Sequence, residues 1–345
     1  MKKLAVTLAV AMAIAISISL TGCGSDTTKS PLLTYVARAS SDSYAPHLFT
    51  LDENTQKSTA VAISIPVDAQ YVSANSDATA VTYCYDGTDG FDIFLMGTDS
   101  KEKQLTTGAD ACESVFSPDG KTIAYVSVPS GGSPGIYTMN VDGSNQKALY
   151  TPAANTTYAY MPEFSPDGKS LVFYVYSETS DVAGQKQRTR GARTSSWLHA
   201  LNGRSKTAVH SAEQPLITTP SDGWYKMALT DATPTLVYAT TTYAWGPAVY
   251  STDGKKLLMT IDDGTEYNIS SVNLDGTGLT PLTTGTDTAS ISPVPYKNLI
   301  LFNRTNDANS SWDIYVMDQT GANQVLVSST ANTFETLIDT YLMDY

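Results

Sequence analysis

Short apolar runs separated by turn residues recur along the chain. Phe-Ser-Pro-Asp-Gly at 116–120 precedes the apolar run 121–126, and the same order returns at 164–168 with 169–174. In such a turn Pro presets φ, Asp can bond its own backbone and Gly accepts a positive φ. Apolar, β-branched and aromatic residues on both sides of the turn predict a β-hairpin. Weaker copies of this unit lie at 74–83, 250–259 and 291–302.

A third and a fourth short strand are predicted after each hairpin. Clear third strands are Ile-Phe-Leu-Met at 93–96 and Ile-Tyr-Val-Met at 314–317. Four strands per unit of about 40–45 residues is typical of a β-propeller blade, so the predicted fold class is all-β. The predicted third strands begin at residues 48, 93, 136, 197, 224, 269 and 314.

The number of blades depends on the middle of the chain. The spacing is regular except between 136 and 224, where the position at 197 divides the interval unevenly. This spacing favours seven blades with a displaced boundary. The alternative is six blades, with residues around 180–222 forming one long insertion.

Both ends of the repeat array bear on ring closure. The first blade begins at 32–36 without a preceding hairpin strand, and strand-like Leu, Ile and Tyr residues follow the last blade at 334–345. A closed ring has no exposed edges between its first and last blades. We therefore expect one propeller domain over 31–345, closed by the C-terminal segment.

The N-terminus is typical of an exported protein. A short basic region leads into an apolar run and then Leu-Thr-Gly-Cys at 20–23. The first features are those of a secretory signal, predicted over residues 1–22. The last four residues resemble the lipobox of bacterial lipoproteins, which implies cleavage before Cys23 and acylation of that residue. Several acyl chains hold a protein stably on a membrane, and the small polar residues 23–30 suit a tether.

Net charge and cysteine content limit the kinds of partner and the redox chemistry expected of this chain. The formal charge is -13, and removing residues 1–22 takes away two lysines and no acid. Such an acidic chain lacks the basic footprint that nucleic acid requires. Besides Cys23, only Cys84 and Cys112 are present. Export permits a disulfide between them, but buried free thiols are the favoured interpretation.

The Phe-Ser-Pro-Asp-Gly-Lys unit followed by an Ile-Tyr-Val-Met-type strand resembles the TolB-like propeller family, and the resemblance extends over about residues 31–330. The same hairpin occurs in the propeller domains of prolyl-oligopeptidase-type peptidases. The resemblance implies the fold and leaves the function open. TolB itself is a soluble periplasmic protein with an additional α/β domain, for which this chain has no room.

Acidic loops are the candidate metal site. Asp86, Asp89 and Asp92 lie in one link between second and third strands, and the equivalent link of a later blade supplies the second set. Oxygen-rich loops suit Ca²⁺, although the same residues are ordinary turn chemistry, so we expect no cofactor and keep Ca²⁺ as the alternative. The second set is Asp262, Asp263 and Glu266.

The segment 177–196 is a basic exception within an acidic chain, and it lies where the blade spacing breaks. Its cations are predicted to dock a partner, since loops on rigid scaffolds tend to carry recognition; a solvated insertion is the alternative. They are Lys186, Arg188, Arg190 and Arg193.

These features together predict a lipid-anchored scaffold of the cell envelope that binds a protein or a glycan, on the outer membrane where the cell has one. The competing hypothesis is a glycan lyase or hydrolase with a site at the propeller channel. The three histidines of the chain lack metal-ligand spacing. The tryptophans and tyrosines are expected to pack between blades, with ligand stacking as the alternative.

Overall fold

Antiparallel β-sheets account for the regular structure in the computed structural model. It describes residues 14–17, 33–39, 46–52, 57–87, 90–130, 132–153, 157–177, 222–231, 233–240, 246–262, 267–285, 289–305 and 312–328. Every regular element in these ranges is a β-strand, and the strands form six four-stranded sheets. Within the same ranges, no helix is long and apolar enough to cross a membrane.

Each sheet uses four consecutive strands, numbered here in chain order from the innermost strand outwards. The first sheet contains β1 (Ile14–Ser17), β2 (Leu33–Ala39), β3 (Pro46–Asp52) and β4 (Lys57–Ala60). The second contains β5 (Gln70–Ala74), β6 (Ala80–Gly87), β7 (Gly90–Gly97) and β8 (Glu102–Gln104). The third contains β9 (Ala111–Phe116), β10 (Thr122–Ser127), β11 (Gly135–Asn140) and β12 (Lys147–Tyr150).

The later sheets repeat this order. The fourth contains β13 (Thr157–Phe164), β14 (Ser170–Ser177), β15 (Gly223–Ala228) and β16 (Thr235–Ala239). The fifth contains β17 (Val249–Tyr250), β18 (Lys256–Asp262), β19 (Tyr267–Asn273) and β20 (Thr280–Pro281). The sixth contains β21 (Ser290–Tyr296), β22 (Leu299–Thr305), β23 (Trp312–Asp318) and β24 (Val325–Ser328).

The blade arrangement differs from the one that the spacing favoured. The strand around Trp224 pairs directly with β14, with Trp224 opposite Tyr174, so it is the third strand of the fourth sheet. Residues 178–221, including the third strand predicted at 197, lie outside the described residues. The six described sheets agree with the six-blade alternative, and the number of blades in the whole chain stays a prediction.

Apolar faces of successive sheets form the core. One cluster runs from the second sheet to the fifth, and smaller clusters lie on either side of it. Tyr83, Tyr125 and Tyr174 are buried there, which confirms the packing expected for tyrosines of second strands. Trp224 is buried in the same way.

The cysteine interpretation needs a correction. Cys84 on β6 and Cys112 on β9 form a disulfide, with their Cα atoms 5.3 Å apart. The two residues lie on different sheets and are 28 positions apart in the sequence. The innermost strand of the third sheet packs against β6, however, and this packing brings the two side chains together.

The first sheet bears on the predicted leader and on ring closure. Its innermost strand is β1, which lies within the predicted signal peptide and pairs with β2 so that Ile14 stands opposite Ala39. The C-terminal segment predicted to close the ring, together with Cys23 and the tether 23–30, lies outside the described residues.

Candidate binding surface

The two ends of each sheet carry different connections. Because the strands are antiparallel, the tight turns between first and second and between third and fourth strands meet at one end, the turn end. The links between second and third strands and the connectors to the next sheet meet at the other, the loop end. The described acidic candidates Asp86, Asp92 and Asp262 lie near the loop end of their sheets.

The turn end is formed by repeated side-chain hydrogen bonds. In the fourth sheet Ser165 Oγ donates to Asp167 Oδ1 at 2.7 Å and accepts from the Ser170 amide at 3.0 Å. The Lys169 amide also donates to Asp167, and these bonds lower the pKa of that carboxyl. The equivalent turns at Ser117 and Ser251 repeat the geometry. These aspartates therefore stabilise turns.

The turns between third and fourth strands hold the sheets against one another. Gly321 has φ +85, and a Cβ there would lie 2.4 Å from the Leu282 carbonyl oxygen in the preceding sheet. Gly276 is placed in the same way against Val237. Gln324 Nε2 donates to the Leu282 carbonyl across the same junction at 3.3 Å. Glycine is required here by both backbone conformation and close approach.

Of the proposed calcium ligands, Asp86, Asp92 and Asp262 lie among the described residues. Asp92 is buried, and its carboxylate accepts from Thr106 Oγ1 at 2.9 Å, Gln104 Nε2 at 3.2 Å and the Gly108 amide at 3.0 Å. No group of three or more His, Cys, Asp or Glu residues able to hold a metal ion occurs among the described residues.

Of the other predicted calcium ligands, two are among the described residues and three are not. Asp86 and Asp262 lie near the ends of β6 and β18, at the loop end of their sheets. Asp89, Asp263 and Glu266 lie outside the described residues.

Asp92 belongs instead to a repeated structural device that the sequence reasoning missed. Thr106 Oγ1 accepts from the Ile93 amide at 2.9 Å, and Thr283 Oγ1 accepts from the Ile269 amide at 2.9 Å. Thr283 Oγ1 donates to Asn268, so an amide oxygen takes the place of the Asp92 carboxylate in the fifth sheet. The available signal was Leu-Thr-Thr-Gly, repeated at 105–108 and 282–285.

Hydrogen bonds join the two points at which the chain leaves and rejoins the fourth sheet, before and after the basic segment; we call these points the insertion ends. Lys186, Arg188, Arg190 and Arg193 lie outside the described residues, but the chain leaves at Ser177 and returns at Asp222. The Ser177 amide donates to Asp222 Oδ1 at 2.7 Å, and the Thr240 amide donates to the Asp222 carbonyl at 2.9 Å. Burial raises the pKa of the Asp222 carboxyl.

Three stacked tyrosines lie on the strands next to the insertion ends. We call Tyr158, Tyr160 and Tyr176 the tyrosine platform. The rings of Tyr158 and Tyr160 are 6.2 Å apart with an interplanar angle of 7°, and those of Tyr158 and Tyr176 are 6.0 Å apart at 20°. Tyr158 and Tyr176 are half-buried, so part of each ring faces solvent. Such rings can stack on a sugar or a side chain and hydrogen-bond through their hydroxyl groups.

The remaining tryptophans give a mixed outcome. Trp224 packs against Tyr174 with ring centroids 5.2 Å apart, inside the core. Trp197 and Trp245 lie outside the described residues, and Trp312 begins β23.

Comparison with known proteins defines the fold. No family model matches the chain, and no curated protein matches it. Among solved structures, a putative TolB from Agrobacterium tumefaciens is 15% identical with a TM-score of 0.56, covering 82% of this chain and 88% of that one. The fold is a TolB-like β-propeller.

Two further structures agree with this fold. TolB from Acinetobacter baumannii is 17% identical with a TM-score of 0.56, covering 88% of this chain and 65% of that protein. An oligogalacturonate lyase in complex with manganese is 12% identical with a TM-score of 0.53, covering 83% of this chain and 73% of the lyase. Identities this low establish the propeller and leave the ligand open.

Proposed function

We propose that the chain is a non-enzymatic binding propeller of the cell envelope, a closed ring of six blades anchored through acylated Cys23. The tyrosine platform, on the strands where the chain leaves for the basic segment, is the observation that carries the binding role. It places partly exposed aromatic rings on a four-stranded sheet, and in the sequence the most basic stretch of an acidic chain begins shortly after Tyr176. Loops and aromatic edges on rigid scaffolds are common recognition surfaces.

The disulfide supports the compartment. Cys84 and Cys112 are both fully buried between the second and third sheets. Disulfides persist in oxidising compartments and are rare in the cytosol. This agrees with export by the predicted signal, independently of the lipobox. We propose an outer-membrane position, where the cell has such a membrane, because Gly24 lacks the charge of an inner-membrane retention signal.

The ligand we propose is an envelope protein or glycan that contacts both the platform and the insertion. Stacking on Tyr158 and Tyr176 supplies apolar contact area. Lys186, Arg188, Arg190 and Arg193 supply positive charge for acidic groups of the ligand. In this proposal, ligand binding uses no metal and no cofactor.

Crosslinking in intact cells followed by purification tests this role. We expect recovery of one stoichiometric protein or glycan, lost when Tyr158→Ala is combined with Tyr176→Ala. Leu279→Ala, at an exposed apolar position in the turn between β19 and β20, is the control and should keep the ligand. Equal recovery from both variants would exclude the platform. Turnover in a panel of glycans would instead support the lyase or hydrolase hypothesis.

A further inference from the structure

Four residues form a row across the loop end of the fourth sheet, and we call it the loop-end row. Tyr158 stands opposite Tyr176 in the pairing of β13 with β14. Asp222 precedes β15 and accepts a hydrogen bond from the Ser177 amide at 2.7 Å, so it lies beside Tyr176. The Thr240 amide donates to the Asp222 carbonyl at 2.9 Å, and Thr240 ends the row. Neighbouring strands lie roughly 4.8 Å apart, so the row spans about 14 Å.

A second row, two residues further from the loop end on each strand, supports the loop-end row. It pairs Tyr160 with Tyr174, Tyr174 with Trp224 and Trp224 with Tyr238. Residues two apart on a strand lie on one face of the sheet, so the tyrosines of both rows share a face. Tyr160, Tyr174 and Trp224 are buried, and the Tyr174 hydroxyl forms a 3.1 Å hydrogen bond with Thr240 Oγ1. The loop-end row is therefore held in place by a packed layer.

Asp222 is the acidic member of the loop-end row, and its carboxyl can accept more hydrogen bonds than the described protein supplies. The residue is half-buried, and its side chain accepts one hydrogen bond, at Oδ1 from the Ser177 amide. A carboxylate offers about four acceptor sites on its two oxygens. Among the described residues, no Lys or Arg forms an ion pair with Asp222, and burial raises the pKa of its carboxyl. Neutral hydroxyl donors from a ligand suit such a group.

Aromatic rings beside a carboxyl match the chemistry of a sugar, which has an apolar C–H face and a rim of hydroxyl groups. Tyr158 and Tyr176 are half-buried with their ring centroids 6.0 Å apart, and such rings can stack on the apolar face. Asp222 lies one strand spacing from Tyr176, within reach of the hydroxyl groups of a stacked sugar. An added peptide strand would instead pair with the edge of a sheet, whereas the loop-end row lies on a face.

We propose that the loop-end row binds a neutral saccharide unit, whose ring stacks on Tyr158 and Tyr176 and whose hydroxyl groups donate to Asp222. This inference rests on the proposed function and names the ligand class of that surface, so a protein ligand becomes an outcome of the test. Asp222 then determines specificity, because a site built to hydrogen-bond a hydroxyl rejects analogues that lack it.

Titration calorimetry on the protein purified from cells tests this ligand class. The probes are maltohexaose, cellohexaose, laminarihexaose and chitohexaose, with tetralysine as a cationic peptide. We expect saturable binding of at least one saccharide and none of tetralysine. Asp222→Asn keeps the side-chain size and an acceptor for the Ser177 amide, and it should weaken saccharide binding at least about tenfold. Asp231→Asn, at an exposed acid in the turn between β15 and β16, is the matched control and should leave the affinity unchanged.

Deoxy analogues of the bound saccharide separate recognition by Asp222 from a structural role. The analogue that lacks the hydroxyl bound to Asp222 should bind the wild type more weakly than its parent does, and Asp222→Asn should lose that discrimination. Equal discrimination by both proteins, binding of tetralysine, or binding of no saccharide would overturn the inference. Should cellular crosslinking still depend on Tyr158 and Tyr176 while no saccharide binds, the proposed function stands and only the ligand class is wrong.

Discussion

Aspartates at the turn end show how single side chains set acid stability. Asp318 accepts hydrogen bonds from Thr320 Oγ1, Asn323 Nδ2 and two backbone amides, and these bonds lower its pKa to about 2. A carboxyl whose pKa is lower in the folded state stabilises the protein above its ordinary pKa of 3.8. That contribution is lost as the pH falls towards 2.

Asp318→Asn is therefore predicted to flatten the loss of stability in acid. Urea unfolding between pH 2 and pH 6 should show a smaller fall in the free energy of unfolding for the variant than for the wild type. The asparagine cannot titrate, which is the physical reason for the difference. Parallel curves for the two proteins would contradict the assignment.

Asp92 is predicted to be structural rather than a metal ligand. Asp92→Ala leaves the buried Thr106 hydroxyl and the half-buried Gly108 amide without their acceptor and should cost about 1–3 kcal/mol in the free energy of unfolding. Asp92→Asn should cost less, because Asn268 already serves at the equivalent place. Denaturant unfolding measures both changes. A larger loss for Asn than for Ala would contradict this account.

At the scale of elements, glycine turns fix how neighbouring sheets meet. Gly321→Ala adds a Cβ 2.4 Å from the Leu282 carbonyl oxygen at a positive φ. Gly120→Ala is the matched control, since its φ is +68 and nothing lies within 4 Å of the added atom. The control should lose about 1–2 kcal/mol from backbone conformation alone, and Gly321→Ala should lose clearly more. Equal losses in thermal or urea unfolding would remove the steric part of the argument.

The hairpins were predictable from sequence because Pro-Asp-Gly turns encode local geometry. The pairing of β14 with β15 was not predictable, since 45 residues separate the two strands and spacing alone suggested a separate blade around 197. The role of Asp92 was missed for a related reason, because its hydrogen-bond donors Gln104, Thr106 and Gly108 lie further along the chain. An acidic loop has the same composition whether its carboxylates bind a metal ion or accept hydrogen bonds from the protein.

For the whole molecule, the disulfide is predicted to stabilise the junction between the second and third sheets. Replacing Cys84 and Cys112 together by Ala should cost about 2–4 kcal/mol, mainly because the unfolded chain is no longer cross-linked. Unfolding of the wild type with and without a reductant gives an independent measurement. An unchanged free energy of unfolding in the double variant would contradict a disulfide in the native protein.

The propeller fold of the described residues was largely predictable, because a repeated unit specifies a repeated architecture. The candidate surface was predictable only in part. The basic stretch at 177–196 was visible in the sequence, whereas the platform depends on Tyr158 and Tyr176 meeting across β13 and β14. That juxtaposition follows from strand register, which the sequence pattern does not give.

The N-terminal residue of the mature protein tests the central claim most directly. We predict that mass spectrometry of protein extracted from membranes will find a chain beginning at Cys23, carrying a diacylglyceryl group on its thiol and an acyl chain on its amine. Cys23→Ala should release the protein from the membrane fraction. An unmodified Cys23, or a mature chain that begins at another residue, would contradict the account of a lipid-anchored propeller.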